Sequence, residues 1–580
     1  MIRELQTIFE TALKGLGIAD PEVIFERPGE LSHGDYATNV AMMYAKELGK
    51  NPKVLAEEIT LALSKSDLES ASVASVSVAG PGFINIHLVD SFFPQQIADI
   101  LNKGSDYGKN NSLSGKKIMV EYTDPNPFKP FHIGHLMTNA IGESIVRLVE
   151  ISGAEAIRAN YQGDVGPHVA KAIWGMMASG EPKDFNAPVA ELAEFIGMCY
   201  SRGAFVYEED ISSYEEGHPD RKKEIDEINK KIYERSDPNI NYMYDWGKKV
   251  TLDAFEEIYK TLGTHFDRYY FESETAPIGE KIVRENIGAV FEESDGAIVF
   301  KGEKHDPKLH TRVFINSQGL PTYETKEVGL TVTKFKEYNP DISIVATAVE
   351  QAEYMRVVEK AISLLYPDFA SRMKHITHGM MRFATGKMSS RLGNVITGES
   401  LIRDVRAEIL TKIADRGFDD AIKEKVATAV GVAALKYSIL KQSLGGDITY
   451  DFEKSISFEG DSGPYLQYTY VRAKSILEKA KEAGIVADPQ PAQWEITTVE
   501  KLLCRFPETV RTAIDEYAPH HIATYLIELA RAFNTFYGNT KIIDTTADAH
   551  APYKVALTEA VSIVLKNGLY LLGIDVPEKM

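Results

Sequence analysis

The stretch "NPFKPFHIGH", Asn126–His135, lies between a short apolar run and a long helical pattern, and it decides the fold. Three prolines in and just before it prevent helix formation, so the pattern predicts that a helix begins close to Phe131. The run "KKIMVEYT" before it is rich in β-formers, and "HIGHLMTNAIGESIVRLVEISG" after it has apolar residues at helical spacing until Gly153. Because the strand-like run "AEAIRANY" follows, the segment predicts a β–α–β unit and hence a parallel, doubly wound sheet.

The predicted start of this helix has the features of an anion-binding site. Its first turn presents free backbone N–H groups and the positive end of the helix dipole. His132 and His135 are three residues apart and share one face, and Gly134 leaves room for a flat base or ribose against the backbone. The pattern suits a nucleoside triphosphate, with imidazoles donating hydrogen bonds as charge builds on the α-phosphate. A pair of ordinary helix-cap histidines is the alternative.

A second segment, "GKMSSRLGN" at Gly386–Asn394, places a lysine, two serines and an arginine between two glycines. This composition predicts a mobile cationic loop that closes over pyrophosphate and then releases it. A solvated surface turn is the alternative interpretation. Both segments occur in this order within one β/α region, which favours the functional interpretation.

The chain of 580 residues is too long for one hydrophobic core and predicts several domains. Residues 1–110 alternate helical patterns with strand-like runs, "SVASVSVAG" and "FINIHL", around a "GPGF" turn, and predict a small α+β domain. Residues 111–400 form the β/α region, with a charged helical insertion at about 174–265, after which the β/α pattern resumes at "AIVFKG", "TRVFINSQGLPTY" and "ISIVATAV". Residues 401–580 are almost entirely helical and rich in aromatic residues. The predicted fold class is α/β and multidomain.

Composition limits the possible partners and compartments. A net charge of −20 argues against a general nucleic-acid coat, although a local basic groove is compatible with it. No apolar run approaches the roughly 20 residues that span a bilayer, so no membrane partner is predicted. Cys199 and Cys504 are the two cysteines, too few for a disulfide framework or a Cys-rich zinc site, and they predict a reducing cytoplasm and no structural metal.

The two segments resemble the HIGH and KMSKS signatures of class I aminoacyl-tRNA synthetases. Longer stretches are similar to the arginyl-tRNA synthetase family in particular: "VEYTDPNPFKPFHIGH", "NYQGDVGPH", "LPTYETKEVGL", "HGDYATNVAM", "AGPGFINIHL", "GPYLQYTYVRAKSIL" and "LLGIDVPEKM". The resemblance covers nearly the whole chain. It implies a Rossmann-like catalytic domain at 111–400, an N-terminal domain that contacts tRNA at 1–110, and a helical stem with an all-α anticodon-binding domain at 401–580.

The resemblance implies that L-arginine reacts with ATP to give arginyl-adenylate, and that the arginyl group then passes to the 3′ end of arginine tRNA. It implies Mg²⁺ as part of the ATP complex, bound tRNA as a requirement of the first step, and a monomer. Matching motif positions implies a catalytic set of Lys129, His132, His135, Lys387 and Arg391. It implies an ATP-binding set of His132, Gly134, His135, Met380, Lys387, Met388 and Ser389.

The arginine-binding set implied in the same way is Glu121, Asn126, Tyr323, Glu327 and Gln351. A guanidinium group needs carboxylates in bidentate geometry, and Glu121 with Tyr323 matches the family's guanidinium site. Asn126 and Gln351 match residues that hold the α-amino and carboxylate end. Two positions depart from the family pattern. Glu327 stands where the family usually has an aspartate. Ser390 stands where the family's loop usually has a lysine. Lys129 matches a lysine that takes over this role in family members without the loop lysine.

The aromatic-rich closing helices suit unpaired bases that stack on side chains, although several of these residues must also build the core. The tRNA-binding set implied by the resemblance is Tyr465, Gln467, Tyr468, Phe533 and Tyr537. Three alternatives remain open from the sequence. The chain could be a class I synthetase for another amino acid, a small-molecule nucleotidyltransferase with the same histidine-bearing helix start, or a catalytically silent RNA-binding relative.

Overall fold

The structure of the chain is a computed structural model, which describes residues 1–29, 33–180, 182–208, 221–384, 397–491, 493–544 and 548–580. These residues form two units. The first joins residues 1–107 to 472–507 and 528–565, and the second holds residues 108–471, 508–527 and 566–580. The closing helices contribute to both units, so the division into three domains at 110 and 400 stays a prediction.

The amino-terminal segment has the predicted α+β character. Its elements are α1 (Ile2–Gly15), β1 (Tyr36–Thr38), α2 (Val40–Tyr44), α3 (Pro52–Ala62), α4 (Lys65–Ser70), β2 (Val73–Ala79), β3 (Phe83–Leu88) and α5 (Phe92–Lys103). The strands form an antiparallel sheet in the order β1-β3-β2. The β2–β3 hairpin turns at the "GPGF" stretch, where Gly80 and Gly82 have positive φ angles that a side chain would disfavour.

The β/α region begins with the predicted β–α–β unit. Its elements are β4 (Lys117–Glu121), α6 (Ile133–Ile151), β5 (Glu155–Gln162), α7 (Pro167–Ser179), α8 (Val189–Glu208), α9 (Arg221–Glu234), α10 (Pro238–Leu262), β6 (Arg268–Phe271), α11 (Glu272–Glu285), β7 (Glu292–Ser294), β8 (Ala297–Lys301), β9 (Thr311–Ile315), α12 (Tyr323–Glu337), β10 (Ile342–Ala348), α13 (Ala352–Leu365), α14 (Pro367–Ala370), β11 (Met373–His378) and β12 (Met381–Phe383). Five strands form a parallel sheet in the order β11-β10-β4-β5-β6, which confirms the predicted sheet.

Strand β4 is the middle strand of this sheet and is completely buried at Ile118, Met119 and Val120. The chain runs from β4 through β5 to β6 on one side, whereas β10 and β11 lie on the other. The strand order therefore reverses beside β4. Ligands of open α/β sheets bind in the crevice at the carboxyl ends of the strands at such a point.

The prediction that the β/α pattern resumes at "AIVFKG" and "TRVFINSQGLPTY" is wrong, because these runs form an antiparallel sheet with β7. Strands β7 and β8 are joined by Asp295 and Gly296, whose φ angles of 50° and 78° suit a tight hairpin turn. The connection from β8 to β9 is also too short for the crossover of a dozen or more residues that a parallel pair needs. Of the three runs, "ISIVATAV" joins the parallel sheet as β10.

Helices α7 to α10 connect β5 to β6 and contain the stretch that the sequence marks as a charged insertion. They form a hydrophobic core of their own, and Phe128 from the "NPFKPFHIGH" stretch is buried inside it. A Cβ atom on Gly247 of α10 would lie 2.4 Å from Phe128 Cε1, so this glycine lets the ring approach the helix. The helices thus hold the loop that leads to α6.

The remaining elements are α15 (Gly398–Lys412), α16 (Asp420–Leu440), β13 (Ile448–Tyr450), α17 (Phe452–Ser455), α18 (Gly463–Glu482), α19 (Thr498–Leu503), α20 (Phe506–Asp515), α21 (His520–Asn539) and α22 (Ala551–Leu571). This part is helical as predicted, except that β13 pairs with β12. Within the described ranges, no helix has both the length and the apolar character needed to cross a membrane.

Candidate active site

The two histidines of the opening stretch lie together at the start of α6. The helix begins at Ile133 with His132 as its N-cap, two residues beyond the predicted start. The backbone N–H of His132 donates to His135 Nδ1 at 3.2 Å, and the two rings stack with centroids 3.5 Å apart. Burial and the charge of Lys129 lower the pKa of both rings. Both are therefore neutral at neutral pH, and His135 carries its proton on Nε2 because Nδ1 accepts a hydrogen bond.

Gly134 has a local role in this arrangement. A Cβ atom at this position would lie 2.9 Å from His132 Cε1, closer than real Cβ contacts allow. The missing side chain therefore lets the His132 ring fold back over the first turn of α6. Contact of Gly134 with a base or ribose stays a prediction.

The loop from β4 to α6 is held in an unusual backbone conformation. Thr123, Asp124 and Phe128 have φ angles of 79°, 48° and 69°, in the region that favours glycine. Asp124 Oδ1 accepts from the backbone N–H of Tyr161 at 2.7 Å, and Asn126 Oδ1 accepts from that of Gly163 at 3.0 Å. These two side chains continue the β4–β5 ladder beyond its last backbone pair and fix the position of Asn126.

Three acidic side chains lie close together near the carboxyl end of β4. Glu121 is 2% exposed and forms an ion pair with the buried Nζ of Lys334 on α12. Burial, followed by the charge of Glu121, raises the pKa of Glu327 to about 8. Burial and Glu121 also raise the pKa of Asp124. Three carboxyl groups thus share this pocket with Lys334, and a second cation would relieve their repulsion.

The other predicted small-molecule contacts are more open to solvent. Tyr323, the first residue of α12, is 53% exposed, and Lys326 Nζ lies 5.0 Å from its ring centroid. Gln351 is exposed and is the last residue of the short turn that joins β10 to α13. Met380 is 39% exposed, and its backbone N–H donates to Asp447 Oδ1 at 2.9 Å.

Lys129 is half-buried two residues before Phe131. Its Nζ lies 5.5 Å from the ring centroid of Tyr200 on α8, and no carboxylate of the described residues forms an ion pair with it. Burial and the charge of Lys171 lower its pKa. The predicted loop residues Lys387, Met388, Ser389 and Arg391, with the departure at Ser390, lie outside the described residues.

Sequence reasoning did not find two buried lysines of this site, both on α12. Lys334 neutralises Glu121, and Lys326 Nζ lies 2.6 Å from Glu272 Oε2. A signal for Lys334 was present, because it follows Tyr323 and Glu327 at helical spacing on one face. A buried lysine on that face indicates a buried acid opposite it.

The predicted tRNA contacts differ in exposure. Gln467 and Phe533 are fully buried, and Gln467 Nε2 donates to the carbonyl oxygen of Asp575 at 2.6 Å. Direct RNA contact by these two side chains is inconsistent with the structure, because they build the helical core. Tyr465 and Tyr468 are half-buried, whereas Tyr537 is 43% exposed.

The comparisons with known families cover almost the whole chain. The family described as "tRNA synthetases class I (R), catalytic domain" matches residues 96–452. "DALR anticodon binding domain" matches residues 466–580, and "Arginyl tRNA synthetase N terminal domain" matches residues 3–88.

Among curated proteins, the arginine–tRNA ligase of Clostridium perfringens is 32% identical over 97% of both chains. That of Clostridium acetobutylicum is 31% identical over 96% of both. Among solved structures, Thermus thermophilus arginyl-tRNA synthetase superposes with a TM-score of 0.78 at 22% identity, covering all of both chains. The Plasmodium falciparum arginyl-tRNA synthetase superposes with a TM-score of 0.77 at 18% identity, covering 100% of this chain and 99% of that one. The structural likeness supports the fold, and the sequence matches support the family.

Proposed function

Because the chain belongs to the arginyl-tRNA synthetase family of class I, we propose that it activates L-arginine with ATP and transfers the arginyl group to the 3′ end of arginine tRNA. The observation that carries the amino-acid specificity is the carboxyl pocket of Glu121, Asp124 and Glu327 around Lys334. Its acidic groups outnumber its cation, so it favours a substrate with a positively charged side chain. A planar guanidinium pairs with carboxylates through parallel hydrogen bonds, which suits arginine.

In this proposal the substrate lies along the carboxyl edge of the parallel sheet. Glu121, Glu327 and Tyr323 bind the guanidinium group. Asn126 and Gln351 hold the α-amino and carboxylate end, which leaves the carboxylate facing the start of α6. The support for this placement is that β4, β10 and the start of α12 supply these residues around the point where the strand order reverses.

The chemistry proposed for the first step needs no protein nucleophile. The arginine carboxylate attacks the α-phosphate of ATP, the bond to the β-phosphate oxygen breaks, and pyrophosphate leaves. The neutral rings of His132 and His135 donate N–H groups to the charge that builds on the phosphate, and Lys129 adds a cation. Mg²⁺ enters as part of the ATP complex. Gly134, Met380, Lys387, Met388 and Ser389 complete the proposed ATP site, with Arg391 beside the phosphates.

In the second step a hydroxyl of the terminal adenosine of tRNA attacks the carbonyl carbon of arginyl-adenylate, and AMP leaves. Charging of purified arginine tRNA with radiolabelled arginine tests the whole reaction. We expect acid-stable label on this tRNA with arginine and none with lysine. Label with a different amino acid, or adenylate formation without any transfer to tRNA, would contradict the proposal.

The raised pKa of Glu327 predicts how arginine binding depends on pH. Glu327 must ionise to pair with a guanidinium, so the arginine affinity should rise from pH 6 to pH 8, by about tenfold per pH unit well below the pKa. The raised pKa also stabilises the folded apo protein; this contribution is complete below the ordinary carboxyl pKa and is lost progressively as the pH rises from there to about 8. Glu327→Gln should flatten both profiles. Calorimetric titration of arginine and thermal unfolding between pH 6 and 8.5 measure them, and parallel profiles for the two proteins would refute the role.

Tyr537 is the aromatic for which exposure supports a direct tRNA contact. Tyr537→Ala should weaken tRNA binding about fivefold to a hundredfold, the range expected for loss of one stacked base. Tyr242→Ala removes a 63%-exposed tyrosine of α10 and serves as the control. A filter-binding assay measures both. Unchanged affinity of the Tyr537 variant would exclude the contact, and Tyr465 and Tyr468 would become the next candidates.

We further propose a monomer in a reducing compartment, with the three domains at 1–110, 111–400 and 401–580. Neither Cys199 nor Cys504 forms a disulfide bond within the part of the chain that the structure describes, which suits a reducing compartment. Light scattering at micromolar concentration tests the monomer. A mass of twice 64.5 kDa would contradict it.

A further inference from the structure

The proposed carboxylate-binding residue Asn126 is held in one orientation by a backbone group. Its Oδ1 accepts from the Gly163 N–H at 3.0 Å, so its other amide atom, Nδ2, points elsewhere. Nδ2 forms no hydrogen bond to the described residues and remains available as a donor. The orientation of Asn126 therefore depends on where the Gly163 N–H points.

Gly163 is fixed from its carbonyl side by His168. The His168 ring is 6% exposed, and its Nε2 lies 2.7 Å from the Gly163 carbonyl oxygen. A carbonyl oxygen can only accept, so the ring carries its proton on Nε2. Burial and the nearby charge of Lys129 lower the pKa of His168 to about 3, and the ring stays neutral with this proton in place at working pH.

The residue after Gly163 is anchored independently. Asp164 is completely buried and accepts from the Ser273 N–H at 2.9 Å, the Ser273 hydroxyl at 2.6 Å, the Tyr244 hydroxyl at 2.9 Å and Lys248 Nζ at 2.7 Å. Gly163 itself cannot carry a side chain, because a Cβ atom there would lie 2.4 Å from Asn126 Oδ1. A glycine between these anchors could adopt several backbone conformations. The hydrogen bond from His168 Nε2 to the Gly163 carbonyl oxygen restricts that freedom.

The histidine is costly as a mere packing residue. Its Nδ1 is buried and has no hydrogen-bond partner among the described residues. An unpaired buried acceptor is destabilising, whereas an apolar side chain would fill the space without that penalty. The bond from Nε2 to Gly163 is therefore the feature that accounts for a histidine here.

We propose that His168 is a positioning residue of the amino-acid site: it holds the Gly163 peptide so that Asn126 presents Nδ2 to the substrate carboxylate. The inference rests on the proposed function, because it takes Asn126 to bind the α-carboxylate. It concerns recognition of the α-carboxylate, which all amino-acid substrates share, and not recognition of the guanidinium group.

Two variants separate the positioning bond from simple packing. His168→Gln can place an amide N–H near the position of Nε2, whereas the shorter His168→Asn cannot. In ATP–pyrophosphate exchange with tRNA present, we expect His168→Asn to raise the KM for arginine at least tenfold while the KM for ATP stays within twofold. We expect His168→Gln to stay within threefold of the unaltered chain for both. Equal losses in the two variants, or an equal rise in the KM for ATP, would overturn the proposal.

A double-variant comparison tests the route through Asn126. If His168 acts through this residue, His168→Asn should add less than twofold to the KM for arginine once Asn126→Ala is present. Independent multiplication of the two effects would contradict the route.

A readout without substrate keeps the inference separate from the proposed function. Hydrogen–deuterium exchange of the peptide containing Gly163 should become faster in His168→Asn and stay unchanged in His168→Gln. Unchanged exchange in both variants would overturn the positioning role. If the unaltered chain activates a different amino acid, the proposed function fails, and the same KM comparison made with that amino acid still decides the role of His168.

Discussion

Replacing Glu121 with glutamine is expected to lower kcat/KM for arginine activation by about 10²–10⁴-fold, corresponding to the roughly 3–5 kcal/mol lost when one partner of a buried ion pair is removed. Glu121 is 2% exposed and pairs with Lys334, so the substitution removes the carboxylate that the buried ammonium group contacts. Asp124 and Glu327 then have to balance both Lys334 and the guanidinium group of the substrate. The loss should therefore appear mainly as a higher KM for arginine, with the KM for ATP little changed.

Glu155→Gln is the matched control for this experiment. Glu155 also lies on the parallel sheet and pairs with a lysine, Lys117, at 3.3 Å, but it is exposed and begins β5 at the opposite edge. Exposed ion pairs contribute at most about 1 kcal/mol, and this one is far from the carboxyl ends of the strands. Its activation kinetics should match those of the unaltered chain. Equal losses in the two variants would show that the Glu121 effect is one of folding and not of recognition.

Lys129→Ala is the second change with a large expected effect. It should slow adenylate formation by about 10²–10³-fold, the size seen when one preorganised group that stabilises the transition state is removed. Arg391→Ala should cost less, because we propose that Lys129 supplies the charge of the loop lysine that the family pattern has where this chain has Ser390. Single-turnover formation of arginyl-adenylate in the presence of tRNA measures both variants. Equal losses would remove Lys129 from this role.

The lowered pKa of Lys129 adds a pH test with a defined sign. A lysine whose pKa is lowered by burial and by Lys171 loses its charge earlier on the alkaline side than an ordinary lysine. The activation rate should therefore decline with rising pH, and Lys171→Ala should move this decline to higher pH. Lys129→Arg keeps its charge and should abolish the decline. A decline that persists unchanged in Lys129→Arg would assign it to another group.

The fold around the opening stretch could be predicted because local signals agree there. Prolines exclude a helix before His132, apolar residues mark α6, and β-formers mark β4 and β5. The antiparallel sheet of β7–β9 could not be predicted in the same way, because a short apolar strand has the same pattern in either kind of sheet. The connections before and after β8 are too short for the crossover that parallel strands need. Their lengths therefore indicate antiparallel pairing.

The positions of the candidate site residues were predictable where a motif contains them and not where tertiary contacts determine them. His132, His135, Glu121 and Asn126 follow from local sequence and lie at the carboxyl edge of the sheet as expected. The ion pair of Lys334 joins positions more than 200 residues apart, so the helical spacing of Lys334 after Tyr323 and Glu327 indicates a buried acid but does not identify Glu121 as that acid. Gln467 and Phe533 show a second limit of prediction from motifs. A motif position on a helix does not indicate whether the side chain points to solvent or into the core, and both of these side chains are buried.

ATP–pyrophosphate exchange with each of the twenty amino acids, with and without total tRNA, tests the central claim most directly. We expect exchange with arginine alone, and only when tRNA is present. Exchange with another amino acid would contradict the assignment of the Glu121–Glu327 pocket to a guanidinium group. The absence of exchange under every condition would contradict the proposed activity itself, and the departures at Ser390 and Glu327 would be the first positions to revert.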